Sequence, residues 1–193
     1  MPSPAKTSAP RPNGASTYVA LLRGINVGGK NMLPMTDLAK IFAEAECAQV
    51  RPYIQSGNVV FVAKPACAKR VGELVSMGIG KRFGFNPVVV IRTADELAKV
   101  AATNPFLASG ADVETLHVAF LADAPDQSRV ELLDPQRSPG DLFTVLGREI
   151  YLSFPNGVGK SRLTNAYFDS KLATTSTVRN WRTVLKLVEM TKM

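Results

Sequence analysis

The chain is predicted to be an α/β protein of the α+β kind, made of two ferredoxin-like split βαβ subdomains with antiparallel or mixed sheets. Three observations predict this. Short β-rich runs alternate with helical periodicities in the order β-α-β-β-α-β as far as residue 92. Two tight reversals, Ser56-Gly57-Asn58 and Gly147-Arg148, each separate two β-rich runs as hairpins do. A similar order of elements returns after residue 92, more loosely and with no detectable sequence repeat. The expected division is a disordered tail over 1–16, one subdomain over 17–92 and a second over 93–193.

The tail is Pro, Ala, Ser and Thr with Lys6 and Arg11, a composition too polar to offset its ordering entropy. Tyr18-Val19-Ala20-Leu21-Leu22-Arg23 is an apolar run stopped by Gly24, as a buried strand is. After the glycine-rich segment Gly24–Asn31, Leu38, Ile41, Phe42 and Ala45 fall on one helical face, with Pro34 suited to its first turn. Val50–Gln55 and Val59–Ala63 form the hairpin, and residues 66 to about 83 a helix interrupted by Gly72, Gly78 and Gly80. Pro87 opens the strand Val88–Arg92. In the second half Thr93-Ala94-Asp95-Glu96 carries a capping signal. Leu116–Ala122 reads as a strand, Ser128–Leu133 as a short helix, and Leu142–Leu146 with Ile150–Phe154 as a hairpin. Helices are expected near 163–171 and 177–190.

Composition narrows the class. With 46% hydrophobic and 20% charged residues the chain is globular. Its longest apolar runs, such as Val88-Val89-Val90-Ile91, are far short of the ~18 residues a membrane helix needs, so no membrane partner is expected. Cys47 and Cys67 lie in no C-x-x-C and have no histidine at ligand spacing, which points to reduced thiols, a cytoplasmic setting, no metal and no cofactor. The net charge of +7 is uneven. Residues 1–16 hold two basic and no acidic groups, and 17–159 fourteen of each sign. Residues 160–193 hold seven basic groups against Asp169 and Glu189.

Three segments carry a resemblance. Leu21-Leu22-Arg23-Gly24-Ile25-Asn26-Val27-Gly28-Gly29-Lys30-Asn31, Tyr53-Ile54-Gln55-Ser56-Gly57-Asn58-Val59-Val60-Phe61 and Thr177-Val178-Arg179-Asn180-Trp181-Arg182-Thr183-Val184 resemble, in this order, signatures of the bacterial domain of unknown function 1697 family. The resemblance spans roughly residues 17–191. It implies a two-part ferredoxin-like α/β fold and carries no established reaction.

If the first half is a split βαβ unit, its first two strands end at the same edge of the sheet. The Gly24–Asn31 loop, the Ser56-Gly57-Asn58 turn and the Asn86-Pro87 entry to the fourth strand then converge there. Gly24 and Gly29-Lys30 satisfy the G-x-x-x-x-G-K pattern of a phosphate loop. That reading fails: the next position is Asn31 where Ser or Thr should hold Mg²⁺, and Pro34 pushes the helix start downstream. A glycine-amide nest for an anion is the weaker claim that survives, lined by Arg23, Asn26, Gly28, Gly29, Lys30, Asn31, Gln55, Ser56 and Asn58. The plainer alternative is that the glycines supply turns and the asparagines bond the loop's own backbone.

Gly159-Lys160-Ser161 is not a phosphate loop either, since Phe154 occupies the position of its first glycine. On the expected C-terminal helix, Val178, Trp181, Val184, Leu185 and Val188 form one side, and Arg179, Arg182 and Lys186 a basic stripe on the other. Such a stripe tracks a nucleic-acid backbone, or is simply solvated. The single histidine, His117, has no partners at catalytic spacing. Three classes stay open. A binding module for a phosphate-bearing small molecule or nucleic acid is the expectation carried forward. The others are an enzyme that holds a small anionic substrate with Lys30, Arg23 and Gln55, and an interaction or oligomerisation domain without chemistry.

Overall fold

A computed structural model describes residues 13–192. The expected tail lies outside the described residues as far as residue 12, and Ser16 already belongs to the first strand. The first half runs β1 (Ser16–Leu22), α1 (Met35–Glu44), β2 (Ala48–Tyr53), β3 (Asn58–Ala63), α2 (Pro65–Phe83) and β4 (Val89–Thr93). Next come α3 (Ala94–Ala102) and the single turn α4 (Pro105–Ala108). The second half runs β5 (Leu116–Leu121), α5 (Gln127–Val130), β6 (Leu142–Leu146), β7 (Glu149–Ser153), α6 (Asn165–Leu172), β8 (Ser176–Asn180) and α7 (Trp181–Thr191). Two four-stranded sheets result, in orders β2-β3-β1-β4 and β6-β7-β5-β8, with every pairing antiparallel. The α+β class and two sheet–helix subdomains follow directly, and the second half repeats the first more closely than its sequence suggests.

One element corrects the sequence reading. Residues 176–180 are a strand, not the first turn of a helix, and the C-terminal helix opens only at Trp181. Ser176, Thr177 and Val178 favour the extended state, and the Asn180 side chain accepts from the Thr183 amide at 2.8 Å to start the helix there. This shifts the helical faces. Trp181, Val184, Leu187 and Met190 are buried, whereas Leu185 is exposed. Val178 packs from β8 against a different core.

The helices α3 and α7 fill the space between the sheets. Val19, Leu21, Val60 and Val90 of the first sheet and Leu116, Val118, Phe120 and Tyr151 of the second enclose Leu97 and Val100 of α3 and Trp181, Val184 and Leu187 of α7. On the first sheet's outer face Ala20, Leu22, Val59 and Phe61 pack on α1 and α2. Ala119, Leu121, Ile150 and Leu152 pack on α6 and its surroundings. Each central strand is therefore covered on both sides, which explains the continuous apolar stretches Tyr18–Leu22 of β1 and Val118–Leu121 of β5. The glycines of α2 have a packing reason: a Cβ on Gly78 would sit 2.9 Å from Ile41 Cγ2, so the side chain is missing where α1 and α2 touch.

Cys47 and Cys67 are free thiols. Burial, and then the nearby Cys67 and Glu46, push the Cys47 thiol up to about 12. Thiolate-directed alkylation of the native protein should therefore label Cys67 first, and Cys47 only on unfolding. Labelling of both at equal rates would contradict the packing.

Candidate functional site

Because β1 and β2 both run antiparallel to β3, they point the same way, and the segments that follow them meet at one edge. The Leu22 amide donates to Gly57 O at 2.7 Å, the Arg23 amide to Val88 O at 2.9 Å, and Asn26 Nδ2 to Gln55 O at 3.0 Å. The loop, the hairpin turn and the entry to β4 are thus one corner. Gly57 has φ +75°, and a Cβ there would lie 2.9 Å from both Leu22 Cβ and Leu22 O, so only glycine fits this junction.

The loop itself is a closed hairpin. Lys30 N donates to Val27 O across Gly28 and Gly29, both at positive φ. Asn26, at φ +53°, accepts from Leu33 N at 2.7 Å and donates to Leu33 O; Asn31 Nδ2 donates to Gly24 O at 2.8 Å. The two asparagines thus serve the loop's own backbone, as the plainer sequence alternative has it. The helix starts at Met35, well beyond Lys30, so no phosphate-loop geometry forms. Lys30, Gln55 and Ser56 remain exposed, and Asn58 is buried with Nδ2 on Ser56 Oγ at 2.8 Å. Arg23 crosses to the second half and pairs with Asp169 of α6, which also accepts from Ser176 Oγ at 2.7 Å.

Arg179 arrives at the same corner. Its place on β8 removes it from the C-terminal helix and turns it inward. Nε donates to Asn58 Oδ1 at 2.6 Å, and Nη2 to Leu22 O at 2.6 Å and Gly57 O at 3.4 Å. Nη1 donates to Thr177 Oγ1 and Val178 O at 2.7 and 2.8 Å. The expected basic stripe is therefore not assembled. Arg179 lies across the junction of the halves, Arg182 pairs with Glu114, and Lys186 with Glu189 at 2.9 Å.

The same clasp exists in the other direction. Arg92 of β4 donates from Nε to Glu149 Oε1 at 2.8 Å, and from Nη2 to Leu121 O at 2.7 Å and Arg148 O at 3.0 Å. Its Nη1 donates to Ile91 O at 2.9 Å. Leu121 ends β5 as Leu22 ends β1, and Glu149 opens β7 as Asn58 opens β3. Each half thus reaches the other with an arginine in the fourth position of its last strand, just before a capped helix. The two clasps differ in charge. Arg92, only 1% exposed, has Glu149; among the described residues Arg179 has neutral acceptors alone, and burial pulls its guanidinium down to about 10. The sequence reading missed Arg92, Glu149 and Asp169. The recurring Arg-(Thr/Asn)-helix start at 92–94 and 179–181 is the signal that marks the two arginines.

His117 sits apart, on β5, with Nδ1 3.1 Å from Thr115 O and its ring 5.1 Å from that of Phe154. Burial lowers its pKa, so the folded state favours neutral imidazole more than the unfolded chain does. The unfolded state then binds more protons, and stability is lost as pH falls below about 6.5. The urea midpoint should drop from pH 7 toward pH 5, and His117→Gln should flatten that drop; an unchanged slope would contradict the assignment.

Two split βαβ units clasped by reciprocal arginines about a shared helical layer are the class of protein this geometry defines. The chain belongs to the family described as protein of unknown function (DUF1697), whose profile matches residues 15–151. That match takes in the Gly24–Asn31 and Ser56–Asn58 segments; the Thr177–Val184 segment lies beyond it. The fold is similar to that of a conserved bacterial protein, SP0830 from Streptococcus pneumoniae, at 23% identity and a TM-score of 0.67, over 92% of this chain and 99% of that one. A search of curated proteins returned no match. Among the described residues no helix is long and apolar enough to cross a membrane, and no group of three His, Cys, Asp or Glu side chains is placed to hold a metal ion.

Proposed function

We propose that this protein is a cytoplasmic binding module, built on paired ferredoxin-like halves, that takes a phosphate-bearing small molecule at the corner of Gly24–Asn31 and Ser56–Asn58. The reading rests on the charge difference between the two clasps: Arg92 has its carboxylate, and among the described residues Arg179 has none. A desolvated cation without a counter-charge is costly, and an anion docked at this edge offsets that cost. Arg23 here pairs with Asp169, and among the described residues Lys30 and Arg179 have no ion-pair partner. Ile54, a β-branched residue held at φ +46° in the turn beside them, adds backbone strain of the kind that accumulates at binding sites. Free thiols accord with a reducing compartment. Of the expected basic stripe Arg179 belongs to β8 and only Arg182 and Lys186 lie on α7, which supports a small ligand over a nucleic acid.

Titration with adenosine monophosphate, followed by amide NMR, should shift residues 24–31 and 55–58. Asn58→Asp, which supplies Arg179 with its own carboxylate, should weaken that binding about tenfold or more. Absence of shifts at millimolar ligand, or equal shifts in the variant, would overturn the reading.

A further inference from the structure

The Gly159-Lys160-Ser161 segment is no phosphate loop, yet it borders a cavity of about 320 Å³ lined by Ser138, Pro139, Asp141, Asn156, Lys160 and Arg162. The local sequence builds this cavity from two turns. Ser138-Pro139-Gly140-Asp141 closes through Asp141 N to Ser138 O at 3.0 Å, with Gly140 at φ +90°, as a Pro-Gly turn requires. Opposite it, Asn156-Gly157 leads into a 3₁₀ turn at Val158–Lys160. The two turns are in close contact: a Cβ on Gly140 would stand 3.1 Å from Asn156 Nδ2. Ser138 Oγ ties them, donating to Asp141 Oδ2 at 2.6 Å and accepting from Arg162 N at 3.1 Å.

The charges around the cavity are separated. Ser138 and Asp141 are each 7% exposed, so the carboxylate forms a buried wall. Its Oδ2 is used by Ser138, while Oδ1 has no hydrogen-bond partner among the described residues. Lys160 and Arg162 are exposed at the mouth and enter no ion pair among the described residues. The lining therefore offers an acceptor in Asp141 and two positive charges in Lys160 and Arg162, neither of them paired with that carboxylate, beside the Asn156 amide. A ligand that satisfies both has an anionic end and a donor at the other.

We infer that this cavity is a second binding site, distinct from the corner of the first sheet, for a small phosphate monoester whose organic part carries a hydroxyl or amino group. The Arg162 guanidinium suits a phosphate through parallel donors, Lys160 adds a mobile point charge, and Asp141 Oδ1 accepts from the hydroxyl. Amide NMR with glycerol 3-phosphate and with methyl phosphate tests this. Glycerol 3-phosphate should shift residues 138–141 and 156–162 and bind about tenfold more tightly than methyl phosphate, which lacks the donor. The surface double variant Lys160→Gln/Arg162→Gln should lose these shifts while those of residues 24–31 with adenosine monophosphate are unchanged, which separates this site from the corner. Asp141→Asn should narrow the preference between the two esters. No shifts at 138–162 at millimolar ester, shifts that survive in the double variant, or equal binding of both esters would overturn the inference.

Discussion

Arg92→Met is expected to lower the unfolding free energy by about 3–5 kcal/mol, the range for removing one partner of a buried ion pair. Methionine keeps most of the volume, so the loss is in the polar network. Glu149, with its side chain 16% exposed, is left charged without its guanidinium, and the Leu121 and Arg148 carbonyls lose a donor at the junction of the halves. Urea denaturation measures the loss. Adding Glu149→Gln should recover part of it by removing the orphaned charge, so the double variant costs less than the sum of the singles. Strict additivity would mean that the clasp does not act as a unit.

Trp181→Ala should cost about 3–5 kcal/mol, as large-to-small changes do in a core that cannot collapse. Trp181 is the largest fully buried side chain and opens α7 inside the layer shared by both sheets. Its removal leaves a void in the cluster to which both sheets contribute. A single cooperative transition should persist at a lower midpoint, since both sheets pack on this one shared layer. A cost below about 1 kcal/mol would contradict the shared core.

Much of this was legible in the sequence. The first half reads cleanly because most of its elements begin or end at Gly or Pro, as at Gly24, Pro34, Gly57, Pro65, Gly84 and Pro87. Convergence of the loop after β1 and the turn after β2 follows from strand direction alone, and the Asn26–Gln55 contact realises it. The strand β8 was not legible, because Ser176–Asn180 abuts α7 with no breaker, and Val178 and Trp181 happen to fall three apart like one helical face. With the strand missed, Arg179 was read as part of a surface stripe when it is a clasp between halves. Asp169 and Glu149 escaped because their partners lie more than fifty residues away. Local spacing carries no record of such pairs.

The two clasps are equivalent in geometry and unequal in charge, and the stability of Asn58→Asp without any ligand measures that inequality. A carboxylate beside Arg179 should have its folded pKa held below the unfolded value of about 3.9. Its stabilisation is then fully present above that pH and is lost as pH falls through the folded value. The variant should be more stable than the parent by about 1–2 kcal/mol at pH 7, with the gain vanishing toward pH 3. A variant equal to or less stable than the parent at pH 7 would mean that Arg179 has no missing counter-charge.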